Sequence, residues 1–302
     1  MFSAVARIER GPVELTVGMA FERRFRIFAI NRRGIVFDTR FAPPIKAESG
    51  AIIVYLLLEG TLRWSDGVEL VGPSLFVMRE SDFEGAMGSR GRVFRSWGTP
   101  FRTVELRVQP ADCAAEVAAV PAALPLDGPD DPLVAAGRLY LHASHAKKGQ
   151  TVIADLAASY LRELERRGVL AADLASSIVH DEGVRGALWD AMRPMVETFG
   201  ADARQDELVA RVGWGARRVQ RELTRIAVSH GVEWIGGWRD VVLRYRVRVA
   251  VLLLSSPALS VSEVADAVGY GSVEAFAHAL DACGLPSATE IRRRLLGEAS
   301  AD

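Results

Sequence analysis

The feature that most constrains this chain is a motif that occurs twice near its C-terminus, about 56 residues apart. The copies span residues 207 to 223 and 263 to 280 and centre on Gly213 and Gly269. Each predicts a short amphipathic helix, a glycine at a sharp turn, and a second amphipathic helix. This is the helix-turn-helix arrangement, in which the second helix can lie in the major groove of DNA. Two copies predict a transcription regulator rather than an enzyme.

Length and composition are those of a globular protein. The chain has 302 residues, of which 49% are hydrophobic and 25% charged, enough for two domains with cores of their own. The longest fully apolar run, Ala51 to Leu58, is much shorter than the roughly 20 residues that span a bilayer. No secretory signal is visible, and Cys113 and Cys283 lack metal-ligand or redox spacing. We therefore expect a cytoplasmic protein without a membrane partner.

The net charge of -1 hides a local asymmetry. Residues 211 to 248 contain nine arginines and three acidic residues. Residues 249 to 291 contain five acidic residues and neither Lys nor Arg. The first motif is therefore basic and the second acidic, and any interpretation that involves DNA has to account for both.

The pattern along the chain predicts an α+β multidomain fold with an N-terminal antiparallel β-barrel or sandwich, central helices and a C-terminal all-α double helix-turn-helix. We predict a β sensor domain over 1–110, a helical linker and dimerisation region over 133–199, and a DNA-binding domain over 200–296. Residues 109 to 132, rich in Pro, Ala, Asp and Gly, are the best linker candidate. The expected strands are Val13–Val17, Arg26–Ile30, Ile35–Phe41, Ile52–Leu58, Thr61–Trp64 and Thr103–Val108.

The second helix of the first motif carries an arginine ribbon. Arg217, Arg221 and Arg225 are four residues apart and share a helix face, with Arg218 and Gln220 beside them. Arginine can bind guanine or phosphate with two hydrogen bonds, and glutamine can bind adenine. The alternative is a solvated helix face, in which Glu222 pairs with Arg218 or Arg225. The buried face is expected to comprise Val219, Leu223 and Ile226.

The segment between the motifs, Trp238 to Leu254, has apolar residues at helical spacing. We interpret it as a core helix that fixes the distance between the two motifs. Its flanking residues Arg239, Arg244 and Arg246 could add phosphate contacts.

Taken together, these residues resemble the AraC-type family of bacterial transcription regulators over about a third of the chain. Gly213 to Leu223 resembles the family's first recognition helix, and Arg246 to Leu254 its linker helix. Ser260 to Tyr270 is similar to the entry of the second motif, and Gly284 to Arg293 to its ending. The resemblance implies two recognition helices in successive major grooves, with Arg217, Gln220 and Arg221 at base- or phosphate-contacting positions.

The second motif departs from the family. Its corresponding positions hold Val273, Glu274 and His278, after Ser272 at the start of the helix, and the Arg that the family usually carries is missing. Glu274 would repel phosphate, while the core positions Phe276 and Leu280 are kept. We therefore predict that the second motif binds DNA weakly or serves as scaffold, with Ser272, Glu274 and His278 as minor contacts.

The glycine-punctuated strands around Gly60, Gly67 and Gly72 resemble the cupin-like sensor domain that many AraC-type regulators carry. The approximate positions of the cupin metal ligands hold Lys46, Glu48 and Ile53, and no histidine precedes His142. We therefore expect neither a metal nor a cofactor, and no catalytic residue. The interior could hold a small organic ligand whose contacts are unknown, since the aromatic candidates are more often plain core residues. These candidates are Tyr55, Trp64, Phe76 and Trp97.

His142 and His145 lie three residues apart, without acidic or cysteine partners nearby. We therefore interpret them as surface or capping residues rather than metal ligands.

The expected partners are double-stranded DNA, a small-molecule effector, a second copy of the chain and RNA polymerase. Two alternatives stay open. One is a degenerate family member that acts through protein interaction without strong DNA binding, and the other is a small-molecule-binding barrel protein.

Overall fold

The computed structural model describes residues 1–38, 51–64, 67–79, 94–114, 122–171, 173–178, 184–198, 204–229 and 237–297. The strands within these residues are β1 (Phe2–Arg10), β2 (Val13–Phe21), β3 (Phe25–Arg33), β4 (Phe37–Asp38), β5 (Ile52–Trp64), β6 (Glu69–Val71), β7 (Ser74–Arg79), β8 (Phe94–Val108) and β9 (Ala122–Leu124). The helices are α1 (Pro132–His145), α2 (Gln150–Arg166), α3 (Val184–Glu197), α4 (Gln205–Val212), α5 (Ala216–Ser229), α6 (Trp238–Leu254), α7 (Val261–Ala267), α8 (Val273–Ala282) and α9 (Ala288–Gly297).

The described strands form one antiparallel sheet in the order β1-β2-β3-β8-β5-β7-β9, with β4 paired to β8 and β6 to β5. Antiparallel pairing follows from short strands joined by tight turns. The sheet, the central helices and the C-terminal helices confirm the predicted α+β fold. None of the helices within the described residues is long and apolar enough to cross a membrane.

The central strand β5 buries side chains on both faces of the sheet. Val54 and Leu56 face the helical layer, where Tyr140 of α1 and Tyr160 of α2 belong to the same buried cluster. Alternate residues point to the opposite face, and Tyr55 lies there in a second cluster with other aromatic side chains. Because successive side chains of a strand alternate, a strand that is apolar throughout is stable only when both faces are covered.

Several features of the sheet differ from the sequence-based expectation. Strands β1 and β7 were not among the expected strands. In β1 the side chains of Ala4, Ala6 and Ile8 are buried on one face, and Val5 is buried as well. Strand β9, inside the expected linker, pairs with β7. The predicted break at Gly60 is wrong: β5 continues through it, and its pairing with β8 shifts register at this point.

Close backbone packing explains the bulge at Gly60. Its φ is +102°, and an added Cβ would lie 2.5 Å from the ring of Phe101. A glycine in a strand can mark either a turn or a bulge, so the local signal was ambiguous. Residues 35 to 38 of the expected strand Ile35–Phe41 are described, and Phe37–Asp38 form β4, which pairs with β8. The positions Lys46 and Glu48 lie outside the described residues.

The C-terminal helices have the predicted order. The predicted core helix Trp238 to Leu254 is α6, with the same limits. Helix α2 lies within the predicted helical region over 133–199; its Val152 is 45% exposed, and Ile153 lies on the buried face.

The two helix-turn-helix motifs have different surroundings. The core of the first motif includes Leu188 and Met192 from α3. The core of the second motif is continuous with buried residues of β1 and β2, such as Ala6 and Leu15. An ion pair of 2.8 Å between Arg10 and Asp266 joins the end of β1 to α7.

Candidate nucleic-acid interface

The two turns have the geometry that their glycines predict. Gly213 follows α4 with φ of +70°, and Gly269 follows α7 with φ of +80°. This left-handed conformation ends a helix and is unfavourable for residues with a Cβ. Helix α7 also begins with a capping box, in which the Ser260 hydroxyl accepts from the Glu263 amide and the Glu263 carboxylate accepts from the Ser260 amide.

The arginine ribbon lies on the exposed face of α5. The side chains of Arg221 and Arg225 are 61% and 60% exposed, and Arg217 and Arg218 are also exposed. Arg218 lies over the ring of Trp214, 4.4 Å from its centroid, in a cation–π contact. Within the described residues, Arg217 has no ion-pair partner. The cationic groups therefore face solvent along one side of α5.

Glu222 lies beneath this ribbon on the buried side of α5. Its side chain is only 7% exposed, between the core residues Val219 and Leu223. Its carboxylate accepts a hydrogen bond of 2.8 Å from Arg225 and lies 3.8 Å from Nε of Arg221. A buried carboxylate needs a charged partner, so one or both arginines are held near it. The sequence suggested a pair with Arg225 or Arg218; the structure forms the first.

Gln220 is half-buried beside the start of α6. An added Cβ on Gly237, whose φ is +86°, would lie 2.3 Å from Oε1 of Gln220. The amide therefore packs against backbone in this structure. Arg246 of α6 lies over the ring of Tyr270, 5.3 Å from its centroid. The aromatic residue after each turn glycine is thus covered by an arginine.

Helix α8 presents an acidic face. Glu274, His278 and Asp281 are exposed, whereas Phe276 and Leu280 are buried. The Ser272 hydroxyl accepts a hydrogen bond of 3.1 Å from the Ala275 amide and so caps the helix. A backbone hydrogen bond from its own amide, together with the Ser272 hydroxyl, lowers the pKa of Glu274.

Burial also shows which positions of α5 and α8 are equivalent. Val219, Glu222 and Leu223 are buried in α5, and Phe276, Ala279 and Leu280 are buried 57 positions later in α8. By this alignment, Glu274 of α8 is equivalent to Arg217 of α5, and His278 is equivalent to Arg221. The assignment of Val273 to the Arg217 position is off by one, because one more residue separates Gly269 from α8 than separates Gly213 from α5.

Helix α3 completes the first motif, which nothing in the sequence indicated. Its Leu188 and Met192 pack in the core of that motif. On another side of α3, Nε1 of Trp189 donates a hydrogen bond of 3.2 Å to the Ser3 carbonyl of β1. At the C-terminal end of α3, the Val196 carbonyl accepts a hydrogen bond of 3.2 Å from the Tyr245 hydroxyl of α6. Helix α3 therefore contacts the sheet, the first motif and α6.

The aromatic candidates of the N-terminal domain separate into two groups. Tyr55, Trp64 and Phe76 are buried in one cluster, whereas Trp97 is half-buried and lies 5.3 Å from the guanidinium of Arg63. Arg32 is also buried in this part of the sheet.

Arg32 places a charged group in the buried part of the sheet. Its guanidinium donates to the Ser96 hydroxyl and stacks on Phe101 at 3.9 Å. Burial lowers the pKa of Arg32 to about 10 and raises the pKa of Tyr55 to about 12.

The two histidines of α1 have different environments. His142 is exposed, and Nε2 of His145 lies 2.9 Å from the Ala29 carbonyl. Burial lowers the pKa of His145, so its neutral form is favoured. Among the described residues, no group of three or more His, Cys, Asp or Glu side chains could hold a metal ion.

Comparison with known proteins gives matches among solved structures only. No family model and no curated protein sequence matches the chain. The AraC-like transcriptional activator CuxR matches at 11% identity over 79% of this chain and 81% of that chain, with a TM-score of 0.32. ToxT from Vibrio cholerae with an unsaturated fatty acid bound matches at 9% identity over 92% and 98%, with a TM-score of 0.36. CuxR is AraC-like, and the AraC type is also the family that the sequence motifs resemble.

Proposed function

We propose that this chain is a sequence-specific DNA-binding transcription regulator that reads DNA chiefly through α5. One observation carries the proposal: Arg217, Arg218, Arg221 and Arg225 are exposed together on a helix that follows a glycine turn. Their guanidinium groups would neutralise phosphates and bind base edges in the major groove. Helix α8, which has an acidic face, would mainly hold the shape of the domain.

The remaining parts would serve regulation. We propose the division into a β sensor domain over 1–110, a helical region over 133–199 and a DNA-binding domain over 200–296. A small effector would act through the N-terminal part, and a homodimer would read two half-sites in register with the DNA helical repeat. RNA polymerase would be the partner at a promoter. No catalytic role is proposed for any residue.

The test compares one residue from each recognition helix at equivalent positions. Binding to a duplex enriched by in vitro selection is titrated by fluorescence anisotropy for Arg221→Ala and His278→Ala. We expect Arg221→Ala to weaken binding about tenfold or more, the value of a good arginine contact. His278→Ala should change it by less than about twofold, as for an exposed residue without a special role. Equal losses in the two variants would show that α5 is not the main reading helix.

One observation favours a second candidate function, which is interaction with another protein instead of DNA. The second motif is acidic: Glu274 and Asp281 are exposed on α8, beside the exposed His278. Titration with random duplex DNA at low salt separates the two functions, because non-specific binding of a regulator is electrostatic and is strongest there. Complete absence of binding would favour the protein-interaction candidate.

A further inference from the structure

A cavity of about 290 Å³ lies where three parts of the molecule meet. Its walls come from strand β1 near Ser3, from the end of α1 and the start of α2, and from the last turns of α3. The cavity is outside the aromatic cluster of Tyr55 and Trp64, so it is distinct from the interior of the sheet domain. The charged and polar residues that matter here are Ser144, Lys147, Lys148, Gln150, Arg193 and Glu197.

The wall of this cavity is positively charged. Lys147, Lys148 and Arg193 supply three cations, against the single carboxylate of Glu197. Nζ of Lys147 donates to Glu197 at 3.2 Å, which leaves the other two cations in excess. Arg193 lies 3.8 Å from Asp190, a partner that is 62% exposed and hence well screened by solvent.

Helix α2 adds its N-terminus to the same wall. It is 17 residues long and begins after Gly149, which provides no side-chain cap. The first amide groups of a helix have no partner inside the helix and carry partial positive charge, which favours anions. Gly149 and Gln150 line the cavity.

Ser144 is a mostly buried residue that lines the cavity. The residue is 7% exposed and lies against Gly18 of β2, where an added Cβ would be 1.9 Å from its Oγ. Within the described residues, the Ser144 hydroxyl has no hydrogen-bond partner. The hydroxyl is therefore available to donate a hydrogen bond to a ligand in the cavity.

We propose that this cavity binds a small anion, through a carboxylate or phosphate group held by Lys147, Lys148, Arg193 and the start of α2. Its volume is at the lower end of the roughly 300–1,000 Å³ that is typical of ligand pockets, so the occupant is a compact polar metabolite. The anion competes with Glu197 for Lys147.

The position of the cavity gives the anion a route to α5. Arg193 and Glu197 belong to α3, whose Leu188 and Met192 pack in the core of the first helix-turn-helix motif. An anion that exchanges the Lys147–Glu197 ion pair for its own contacts changes how α3 is held against the turn between α1 and α2. This regulatory consequence rests on the proposed function, whereas the anion site does not.

The backbone conformation of Lys147 allows a glycine substitution that tests the anion site. Lys147 follows the end of α1 with φ of +53°, a conformation that glycine adopts without steric cost. Lys147→Gly therefore removes a cation while the fold keeps or gains stability. Glu197→Gln removes the competing carboxylate, and Arg162→Gln removes an exposed cation of α2 that does not line the cavity.

The experiment measures thermal stability and calorimetric binding of the full chain without DNA. The probes are inorganic phosphate and succinate, with chloride at matched ionic strength as reference. We expect a saturable rise in Tm with one or both probes, and the tighter probe identifies the preferred head group. Lys147→Gly should bind about tenfold more weakly, since it loses a charged hydrogen bond. Glu197→Gln should bind more tightly, and Arg162→Gln like the unmodified chain.

Two results would overturn the anion site: no saturable effect beyond that of chloride, or equal affinity in Lys147→Gly and the unmodified chain. A further titration with selected duplex DNA, with and without the tighter probe, tests the regulatory consequence. A shift in DNA affinity that Lys147→Gly abolishes supports it, and an unchanged DNA affinity refutes it. Failure to bind DNA at all refutes the proposed function and leaves the anion result standing.

Discussion

The two helix-turn-helix motifs share a backbone design and differ in surface charge. Each has a left-handed glycine after its first helix and a buried leucine, Leu223 or Leu280, at the same position of its second helix. The exposed face of α5 carries four arginines, whereas that of α8 carries Glu274, His278 and Asp281. The comparison shows that the residues that form a motif and the residues that set its surface charge are separate sets. Two motifs can therefore share a shape while their exposed charges differ.

Glu222 links the core residues of the first motif to its exposed charged residues. It occupies a core position, matched by Ala279 in α8, yet its carboxylate binds Arg225 of the exposed ribbon. The charge is costly to bury and is retained beside a cation that offsets part of that cost. In the second motif the same position is a small apolar residue, so α8 has no equivalent link between core and surface.

The largest expected effect tests the shared architecture. Leu223→Ala and Leu280→Ala each remove a leucine side chain that is 1% exposed. Each should lower the free energy of unfolding by about 2–5 kcal/mol, through lost burial and the cavity left behind. Urea denaturation followed by circular dichroism measures both. A loss below about 1 kcal/mol in one variant would mean that its motif lacks a packed core.

The next effect tests the difference in charge by exchanging it. Arg217→Glu gives α5 the residue that α8 has at the equivalent position, and Glu274→Arg makes the reverse change. We expect Arg217→Glu to weaken DNA binding by about 1–3 kcal/mol and Glu274→Arg to strengthen it by a smaller amount. The salt slope of binding should change by about 0.9 for each phosphate whose neutralisation is added or removed, so anisotropy titrations at several salt concentrations measure it. An unchanged slope in both variants would contradict the assigned roles.

A smaller effect concerns the two turns. Gly213→Ala and Gly269→Ala place a Cβ on residues with φ of +70° and +80°. Nothing lies within 4 Å of the added Cβ at Gly213, so only backbone strain opposes the change there. We expect a loss of about 1 kcal/mol in each variant. Asparagine, which tolerates this conformation better, is the matched control, and a Gly213→Asn variant as unstable as Gly213→Ala would argue against strain.

The smallest effect is pH dependence at the first turn of each motif. Hydrogen bonds from the Ser260 amide and then the Ser260 hydroxyl lower the pKa of Glu263 below its ordinary value of 4.5. Its contribution is therefore complete above that value and is lost as the pH falls through the lower folded pKa. Helix α4 follows Arg204, which provides no side-chain cap, so it has no such contribution to lose.

Amide hydrogen exchange, corrected for intrinsic rates, measures this difference between pH 5 and pH 3. The first turn of α7 should lose protection relative to that of α4. Glu263→Gln, which cannot ionise, should remove most of the pH dependence. Equal behaviour of the two helix starts would show that the capping box does not hold α7.

Sequence periodicity predicted the helices well and the strands partly. Helix α6 has the predicted limits because apolar residues recur at helical spacing along all 17 of its residues. Strands β1, β7 and β9 were missed, since a short segment becomes a strand only when a neighbouring strand offers hydrogen-bonding partners. The exposed arginines of α5 were identified from spacing alone. The packing of Gln220 against Gly237 was not, because it joins the side chain to a residue beyond the end of its own helix. The burial of Glu222 was also not identified.

Local sequence was sufficient to specify the two motifs, their glycine turns and the opposite charges of their second helices, because these depend on residues within one or two helical turns of each other. Only the tertiary structure shows which elements pack against each motif. The first packs against α3, and the second against β1 and β2. The same is true of the cavity around which Lys147, Arg193 and Glu197 meet. Such contacts join segments far apart along the chain, and local patterns carry no information on how separate apolar surfaces combine.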